Sequence, residues 1–385
     1  MRRRITTAAA AGALALSLAA CGGGGAGSTD STEGAGGGAE KGDITIGVAM
    51  PTETSERWIA DGNAVKEGLE KLGYKVDLQY AGDDIPTQTQ QIDQMITSGA
   101  DVLIIASIDG TALTSQLENA AAQNIPVIAY DRLIRDSDNV DFYVTFDNFA
   151  VGVAQGTALL RGMGILDETG VEVADVTGPF NIELFAGSPD DNNAGFFFEG
   201  AMSVLDPYIT DGTLVVKSGQ TDFDTVATLR WSQEAAQKRM EDLLTSTYSD
   251  GSTLAGVLSP FDGISRGIIT ALQGVGQGPT IEAGLPIVTG QDAEVASVKL
   301  IADGVQSSTI FKDTRKLAEQ SIKVTEAFIN GDEPEANDTE TYDNGKKVVP
   351  SYLLDVDTVF TDDITPLLVD SGYWTADEVK SGVSD

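Results

Sequence analysis

The stretch that decides the fold is Val102-Leu103-Ile104-Ile105-Ala106, which is apolar at every position. A continuous apolar run of this length is typical of a parallel strand that is buried on both faces. Comparable runs lie at 44–50 and 125–130, and residues 74–80 add a further strand. Apolar residues at helical spacing separate these segments. Residues 44–130 therefore predict a β-α-β-α-β-α-β unit, with helices on both faces of a parallel sheet.

The same alternation resumes in the second half of the chain. Strands are predicted at 171–177, 213–218, 254–259, 285–289 and 308–311. Helices are predicted at 149–163, 193–205, 231–244, 263–272, 295–302 and 315–329. No linker rich in proline or glycine divides the chain at its middle, which favours lobes joined by several crossovers. We therefore expect an α/β fold with two lobes of similar construction.

The N-terminus predicts a cleaved leader and a lipid attachment site. Three arginines precede an apolar stretch at 8–20, and Leu18-Ala19-Ala20 leads directly to Cys21, the only cysteine in the chain. A basic head, a short apolar core and small residues before the cut are typical of a secretory signal peptide. The cysteine that follows matches the lipobox of bacterial lipoproteins. We expect residues 1–20 to be the signal peptide and Cys21 to carry the lipid that holds the protein at the outer face of the cell membrane.

The segment after Cys21 predicts a tether. Residues 21–42 are rich in Gly, Ser, Thr, Ala and Glu and have no apolar periodicity. Such a segment cannot bury a core and behaves as a flexible linker. The apolar stretch of the leader is itself shorter than the ~20 residues that a membrane span needs. We therefore expect contact with the membrane through the lipid alone.

The composition excludes several classes of function. The formal net charge is −35 at pH 7, so the phosphate backbone of a nucleic acid would be repelled. The chain has no histidine, which excludes Ser-His-Asp and Cys-His mechanisms and removes the commonest zinc and iron ligand. No Asp-x-Asp-x-Asp-Gly loop with a distal glutamate supports a calcium site. We expect no cofactor and no metal, and catalysis could use only carboxylates, lysine, tyrosine or a serine-lysine pair.

Polar and aromatic side chains follow nearly every predicted strand. Ligands bind beyond the carboxyl ends of the strands in an open parallel sheet, so these positions are candidate site residues. The candidates are Arg57, Trp58, Asp131, Arg132, Asp191, Asn193, Trp231, Asp262, Asp292 and Lys312. Each has an alternative structural role, since the tryptophans could be core residues and several of the acids could cap helices. Trp374 lies in a polar segment, and we interpret it as structural.

This set of residue types suits a sugar. The apolar faces of a pyranose ring stack on aromatic rings, and two of the three tryptophans are at candidate positions. Carboxylates, amides and guanidinium groups meet the sugar hydroxyls, often in bidentate pairs. A charged partner makes such a hydrogen bond worth about 1.5–3 kcal/mol. The residues alone therefore favour a carbohydrate site.

Five short motifs, in this order, resemble those of sugar-binding lipoproteins of ABC importers. They are Glu56-Arg57-Trp58, Tyr130-Asp131-Arg132-Leu133-Ile134, Gly187-Ser188-Pro189-Asp190-Asp191-Asn192-Asn193, Ser259-Pro260-Phe261-Asp262-Gly263 and Gly290-Gln291-Asp292-Ala293. The likeness covers about residues 44–354 and is greatest to the multiple-monosaccharide-binding proteins, which are near relatives of the D-xylose-binding proteins. The xylose branch commonly has Asn-Asp where this chain has Phe261-Asp262. That departure favours the multiple-monosaccharide branch.

The resemblance implies a periplasmic-binding-protein type I fold. Two Rossmann-like lobes with parallel sheets would be joined by three crossovers, and the sugar would lie between them. The N-terminal lobe would comprise residues 43–146 and 313–347, and the C-terminal lobe residues 147–311 and 348–385.

The resemblance also assigns the site residues and the partners. The first lobe would supply Arg57, Trp58, Asp131 and Arg132, and Lys312 would reach the ligand from a crossover. The remaining candidates would come from the second lobe. The implied function is binding of an aldose without chemistry, followed by delivery to an ABC permease with its ATPase. The protein would act as a monomer.

Two other functions remain open at this point. A secreted glycoside hydrolase could use a pair of the four candidate aspartates, although the neighbouring Arg and Lys would hold them ionised and unfit as general acids. A sensor domain could present the bound sugar to a receptor kinase. A transcriptional repressor of related fold is disfavoured, because the leader and tether stand where a helix-turn-helix would be.

Overall fold

The computed structural model describes residues 41–384. The predicted signal peptide at 1–20, the lipid site Cys21 and the predicted tether as far as residue 40 lie outside the described residues. The chain forms a short 3₁₀ turn at Lys41–Asp43, where Lys41 Nζ lies 2.7 Å from Glu326 Oε1. The last residues of the predicted tether are therefore attached to the folded part.

Strands and helices alternate along the described chain. The strands are β1 (Thr45–Met50), β2 (Lys75–Tyr80), β3 (Val102–Ile105), β4 (Val127–Tyr130), β5 (Phe142–Phe146), β6 (Phe180–Leu184), β7 (Leu214–Val216), β8 (Gly256–Leu258), β9 (Ile287–Val288), β10 (Thr309–Phe311), β11 (Ser351–Leu354) and β12 (Asp357–Val359). The helices are α1 (Glu56–Lys71), α2 (Ile85–Thr97), α3 (Thr114–Ala122), α4 (Asn148–Gly162), α5 (Asn192–Thr210), α6 (Phe223–Val226), α7 (Gln233–Ser246), α8 (Asp262–Gly274), α9 (Val295–Ala302), α10 (Thr314–Asn330) and α11 (Ala376–Ser381). The α/β prediction is confirmed.

The first sheet has six parallel strands in the order β11-β5-β4-β3-β1-β2. The apolar run that predicted a doubly covered strand forms β3 in its interior, where every residue is buried. Helices α1 and α10 cover one face with Val65, Leu69 and Leu317. Helices α2 and α3 cover the other with Ile92 and Leu117. We call this sheet with its four helices the first lobe.

The second sheet has four parallel strands in the order β7-β6-β8-β9. Helices α4 and α5 pack on one face through Leu159 and Leu205, and α7 and α8 cover the other with Met240 and Ile268. Strands β10 and β12 form an antiparallel pair beside α9 and the C-terminal residues. We call these elements together the second lobe.

The chain passes between the lobes three times. It leaves the first sheet at Asp147, returns at Lys312 and Asp313, and crosses again at 355–356. Two of these crossings begin a helix, because the Asp147 carboxylate accepts from Ala150 N at 2.9 Å and Asp313 caps α10 in the same way. The caps fix the direction in which each helix leaves the crossing.

Three differences from the sequence predictions affect how the two parallel sheets are built. Residues 171–177 do not form a strand, and β6 begins only at Phe180; Val171 is 60% exposed, so its apolar side chain has no sheet face to cover. Strand β5 was not predicted, although its aromatic and β-branched residues are typical of strands. Strand β11 pairs with β5, whereas the sequence assigned residues 348–385 to the C-terminal lobe. The last crossover therefore follows Leu354.

Candidate ligand-binding site

A cavity of about 460 Å³ lies between the two lobes, at the carboxyl ends of strands of both sheets. Its walls include residues that follow β1 and β4. They also include Lys312, where the chain crosses between the lobes after β10. Nine of the ten candidate residues line it, namely Arg57, Trp58, Asp131, Arg132, Asp191, Asn193, Trp231, Asp292 and Lys312. Asp262 is the exception.

Arg57 stands at the centre of the first-lobe side. It lies in the first turn of α1 and is buried, and its Nη1 donates to Asp131 Oδ2 at 3.2 Å while Nη2 contacts the other carboxylate oxygen. Burial alone would raise the pKa of Asp131, but the charges of Arg57 and Lys312 outweigh it and lower this pKa to about 2. Asp131 is therefore an ionised acceptor at neutral pH.

Asp61 forms a hydrogen bond with Arg57, and the sequence analysis did not identify it as a site residue. Its Oδ2 accepts from Arg57 Nε at 3.0 Å, and its Oδ1 is in contact with the hydroxyl of Tyr130. Burial raises the pKa of Asp61 to about 7, although Arg57 opposes this. The spacing of four residues on one helix was the signal that could have identified the pair.

Trp58 is covered by cations. The guanidinium carbons of Arg57 and Arg132 lie 4.7 and 5.1 Å from the centroid of its ring. Cations at this distance are attracted to the ring's electron-rich face. Because the indole is only 5% exposed, it acts as a rigid support for both guanidinium groups.

Asp191 and Asn193 enter from the second lobe at the start of α5. Asp191 caps this helix by accepting from Asn193 N at 3.0 Å, and it also lies 3.2 Å from Arg132 Nε. Burial raises the pKa of Asp191, against the effect of Arg132. Asn193 Nδ2 donates to Asp131 O at 2.6 Å, so it joins the two lobes directly.

Trp231 has a strained backbone conformation, and its ring packs against Gly187. Its φ is +55° and that of Arg230 is +58°, in the left-handed region that residues with a Cβ rarely adopt. A Cβ at Gly187 would lie 2.0 Å from Trp231 Cη2, so only glycine admits the ring here. The edges of Phe197 and Phe261 contact the indole at centroid distances of 6.3 and 6.1 Å. Among residues 41–384, Trp231 Nε1 has no hydrogen-bond partner.

Asp292 and Lys312 form an ion pair at the crossover. Lys312 Nζ lies 2.9 Å from Asp292 Oδ1 and 3.9 Å from Asp131 Oδ1, and its side chain is 2% exposed. Arg57 Nη1 lies 3.7 Å from the same Asp292 oxygen. The two cations and two carboxylates therefore form one buried network that spans both lobes.

Asp262, predicted from the sequence as a ligand-binding residue, does not line the cavity and supports the site from outside it. Its Oδ2 accepts from Glu294 N at 2.9 Å and from Thr309 Oγ1 at 3.1 Å, and its Oδ1 accepts from Gln306 Nε2 at 2.8 Å. Its neighbour Phe261 lines the cavity instead. Burial raises the pKa of Asp262 well above its usual range.

No group of three or more acidic, histidine or cysteine side chains in residues 41–384 could hold a metal ion. Within the same range, no helix combines the length and the hydrophobicity that crossing a membrane requires.

The family model of the periplasmic binding protein domain matches residues 46–333. This chain belongs to the periplasmic binding proteins. Among its relatives, the multiple sugar-binding periplasmic receptor ChvE of Rhizobium radiobacter is 55% identical over 89% of this chain and 93% of its own length. The D-xylose-binding periplasmic protein of Escherichia coli K12 is 34% identical over 88% of this chain and 93% of its own length.

A solved structure is also similar to this periplasmic binding protein. The ABC transporter solute-binding protein of Clostridium phytofermentans, with bound β-D-glucose, has a TM-score of 0.81 and 47% identity, and the match covers 87% of this chain and 100% of that one. The resemblance inferred from the five motifs is confirmed, as is the type I fold. Membership of this family also places the periplasmic binding protein outside the cytoplasm.

Proposed function

We propose that the protein binds a monosaccharide between its lobes and delivers it to an ABC permease. The observation that carries the proposal is the cavity itself, which places two indoles and a buried network of charged hydrogen-bonding groups around one space. The names of the relatives and the glucose in the similar solved structure point to the same ligand class.

The cavity offers both kinds of contact that a sugar needs. Trp231 presents an aromatic surface on which the apolar face of a sugar ring can stack. Asp131, Arg132 and Asp292 supply ionic partners for hydroxyl groups. In this scheme the ligand-binding residues are the nine candidates that line the cavity, with Phe197 and Phe261 as additional apolar walls.

Closure of the lobes couples binding to delivery. Contacts such as Asn193 Nδ2 to Asp131 O, and Ser55 Oγ to Glu294 Oε1 at 2.8 Å, join the two lobes across the cavity. A sugar that touches both sides has its full set of contacts only when the lobes are together, so it shifts the population toward the closed form. The closed form is then the one that the permease would recognise.

Binding without hydrolysis fits the electrostatics of the site. A glycoside hydrolase needs a protonated carboxyl group beside the scissile bond. Asp131 has a pKa of about 2 and stays ionised, and Asp262 does not reach the cavity. Asp191 has a raised pKa, but it is engaged with Arg132 and with the start of α5.

Calorimetric titration tests the proposal. The purified protein should release or absorb heat with at least one of glucose, galactose, arabinose, xylose and fucose, and it should leave nitrophenyl glycosides uncleaved. Absence of binding to all five sugars would reject the proposed ligand class. Turnover of a nitrophenyl glycoside would favour the hydrolase instead.

We further propose that Cys21 carries the lipid anchor. Cys21→Ser should move the protein from the membrane fraction to the soluble fraction without changing its sugar affinity. Retention of the variant in the membrane fraction would contradict the anchor and leave the sugar-binding proposal intact.

A further inference from the structure

The backbone at Asp292 and Ala293 adopts a conformation that residues with a Cβ rarely take. Their φ angles are +88° and +48°. Such a conformation costs free energy and persists only where the surroundings fix it. Asp292 lines the cavity and pairs with Lys312, so the strain lies at a residue on which the proposed function depends.

Four hydrogen bonds engage the N–H groups of Asp292, Ala293 and Glu294 and the carbonyl of Ala293. Three of them join the turn to neighbours in the second lobe: Asp292 N to Ile310 O at 2.8 Å, Ala293 N to Thr309 Oγ1 at 3.1 Å and Glu294 N to Asp262 Oδ2 at 2.9 Å. The fourth comes from the C-terminal segment, residues 360–384, where the indole N–H of Trp374 donates to Ala293 O at 2.8 Å. Within residues 360–384, Trp374 is therefore the one residue whose side chain makes one of these four hydrogen bonds.

Trp374 stands behind the cavity wall and does not line the cavity. Its ring contacts Tyr373 at a centroid distance of 5.1 Å, and Tyr373 contacts Phe311 at 4.6 Å. Phe311 immediately precedes Lys312. The C-terminal segment therefore packs against the backbone that carries both members of the Asp292–Lys312 pair.

We propose that Trp374 is a positioning residue, which fixes the carbonyl of Ala293 and so keeps the Asp292 carboxylate directed into the cavity. The proposal rests on sugar binding in this cavity. Without the indole N–H, the turn loses one of the four bonds that oppose its backbone strain. Asp292 then leaves its place beside Lys312 more readily, and part of the binding free energy is spent on restoring it.

The test combines Trp374→Phe with Asp292→Asn. Trp374→Phe keeps an aromatic ring and removes the donor, so we expect sugar affinity to fall about 3- to 10-fold, the loss of one neutral hydrogen bond. In the Asp292→Asn background the same change should add little, because Trp374 acts through Asp292. Tyr208→Phe is the matched control, since it removes a 2.9 Å hydrogen bond from an aromatic side chain to Glu172 on the surface. It should leave affinity unchanged.

Hydrogen exchange without sugar separates this proposal from the proposed function. Trp374→Phe should speed amide exchange at residues 292–294 and leave exchange in β1 to β5 unchanged. If the wild-type protein binds none of the sugars, the proposed function fails, and the exchange result still decides whether Trp374 holds the turn. Wild-type affinity together with wild-type exchange in the variant would overturn the positioning role. Full additivity with Asp292→Asn would also overturn it.

Should Trp374→Phe fail to fold, Trp374→Met takes its place with the same expected losses, because its side chain is large and apolar and carries no hydrogen-bond donor. Wild-type affinity and exchange in that variant would count against the proposal equally.

Discussion

Trp58 and Trp231 line the same cavity from different lobes, but they are supported in different ways. Trp58 lies in the first turn of a regular helix, is almost fully buried, and has two guanidinium groups over its ring. Trp231 is half-buried, has a left-handed backbone, rests against Gly187 and is flanked by aromatic edges. The first indole is part of an ionic network, whereas the second presents an apolar surface.

The difference indicates that the two sides of the cavity contribute differently to folding and to binding. The Trp58 side fixes cations and carboxylates in place before any ligand arrives, and its cost is the burial of many charges. The Trp231 side keeps an aromatic face toward the cavity, and its cost is backbone strain at Arg230 and Trp231. Loss of the first indole should therefore damage both folding and binding, and loss of the second should damage mainly binding.

The largest expected effects come from replacing each indole by alanine. Trp58→Ala should weaken sugar binding by about 100-fold or more, because the support of Arg57 and Arg132 goes with the ring. It should also lower the free energy of unfolding by about 3–5 kcal/mol, as for other buried large-to-small changes. Trp231→Ala should weaken binding by about 30-fold, the ~2 kcal/mol of an aromatic anchor, with a smaller loss of stability. Calorimetry and urea unfolding measure both quantities.

Equal losses of stability in the two alanine variants would show that the two supports are equivalent. Wild-type affinity in Trp231→Ala would remove this indole from the site.

A smaller effect should follow from Gly187→Ala, which acts on the Trp231 side alone. The added Cβ would lie 2.0–2.5 Å from three atoms of the indole, so the ring must leave its present position. We expect affinity to fall about 10-fold, in keeping with the ~1–3 kcal/mol of overpacking. Gly195→Ala in α5 is the matched control, since its Cβ would have no atom within 4 Å. Titration of both variants with the same sugar checks this, and identical affinities would contradict it.

The smallest effect is a pH dependence that belongs to the Trp58 side. The pKa of Asp61 is about 7 in the folded protein, because burial raises it above its ordinary value of about 4. Between these pH values the folded protein keeps a proton that the unfolded chain has released. The free energy of unfolding therefore falls as the pH rises from about 4 to about 7.

Asp61→Asn should reduce this slope by at most about 1.4 kcal/mol per pH unit. The slope should not vanish, since Asp191 and Asp262 also have raised pKa values. Urea unfolding at pH 4.5, 5.5 and 6.5 compares the two proteins. Parallel plots for variant and wild type would show that Asp61 does not hold the extra proton.

The sequence predicted the features that depend on local pattern. The apolar run at 102–106 predicted a strand covered on both faces, because each of its residues is apolar and favours burial. The site residues were found at strand ends because a parallel sheet brings all its carboxyl ends to one edge. The family followed from five motifs in order.

Only the tertiary structure decided which of these residues face the cavity and which hold others in place. Asp262 and Asp292 both follow strands, yet the Asp262 carboxylate bonds Glu294 N and supports the turn that directs Asp292. Trp374 reaches that turn across 81 residues of sequence, so no local pattern could pair them. Hydrogen bonds and strained φ angles depend on which backbones meet after folding, and this is why residue type and spacing located the site but left the internal supports undetermined.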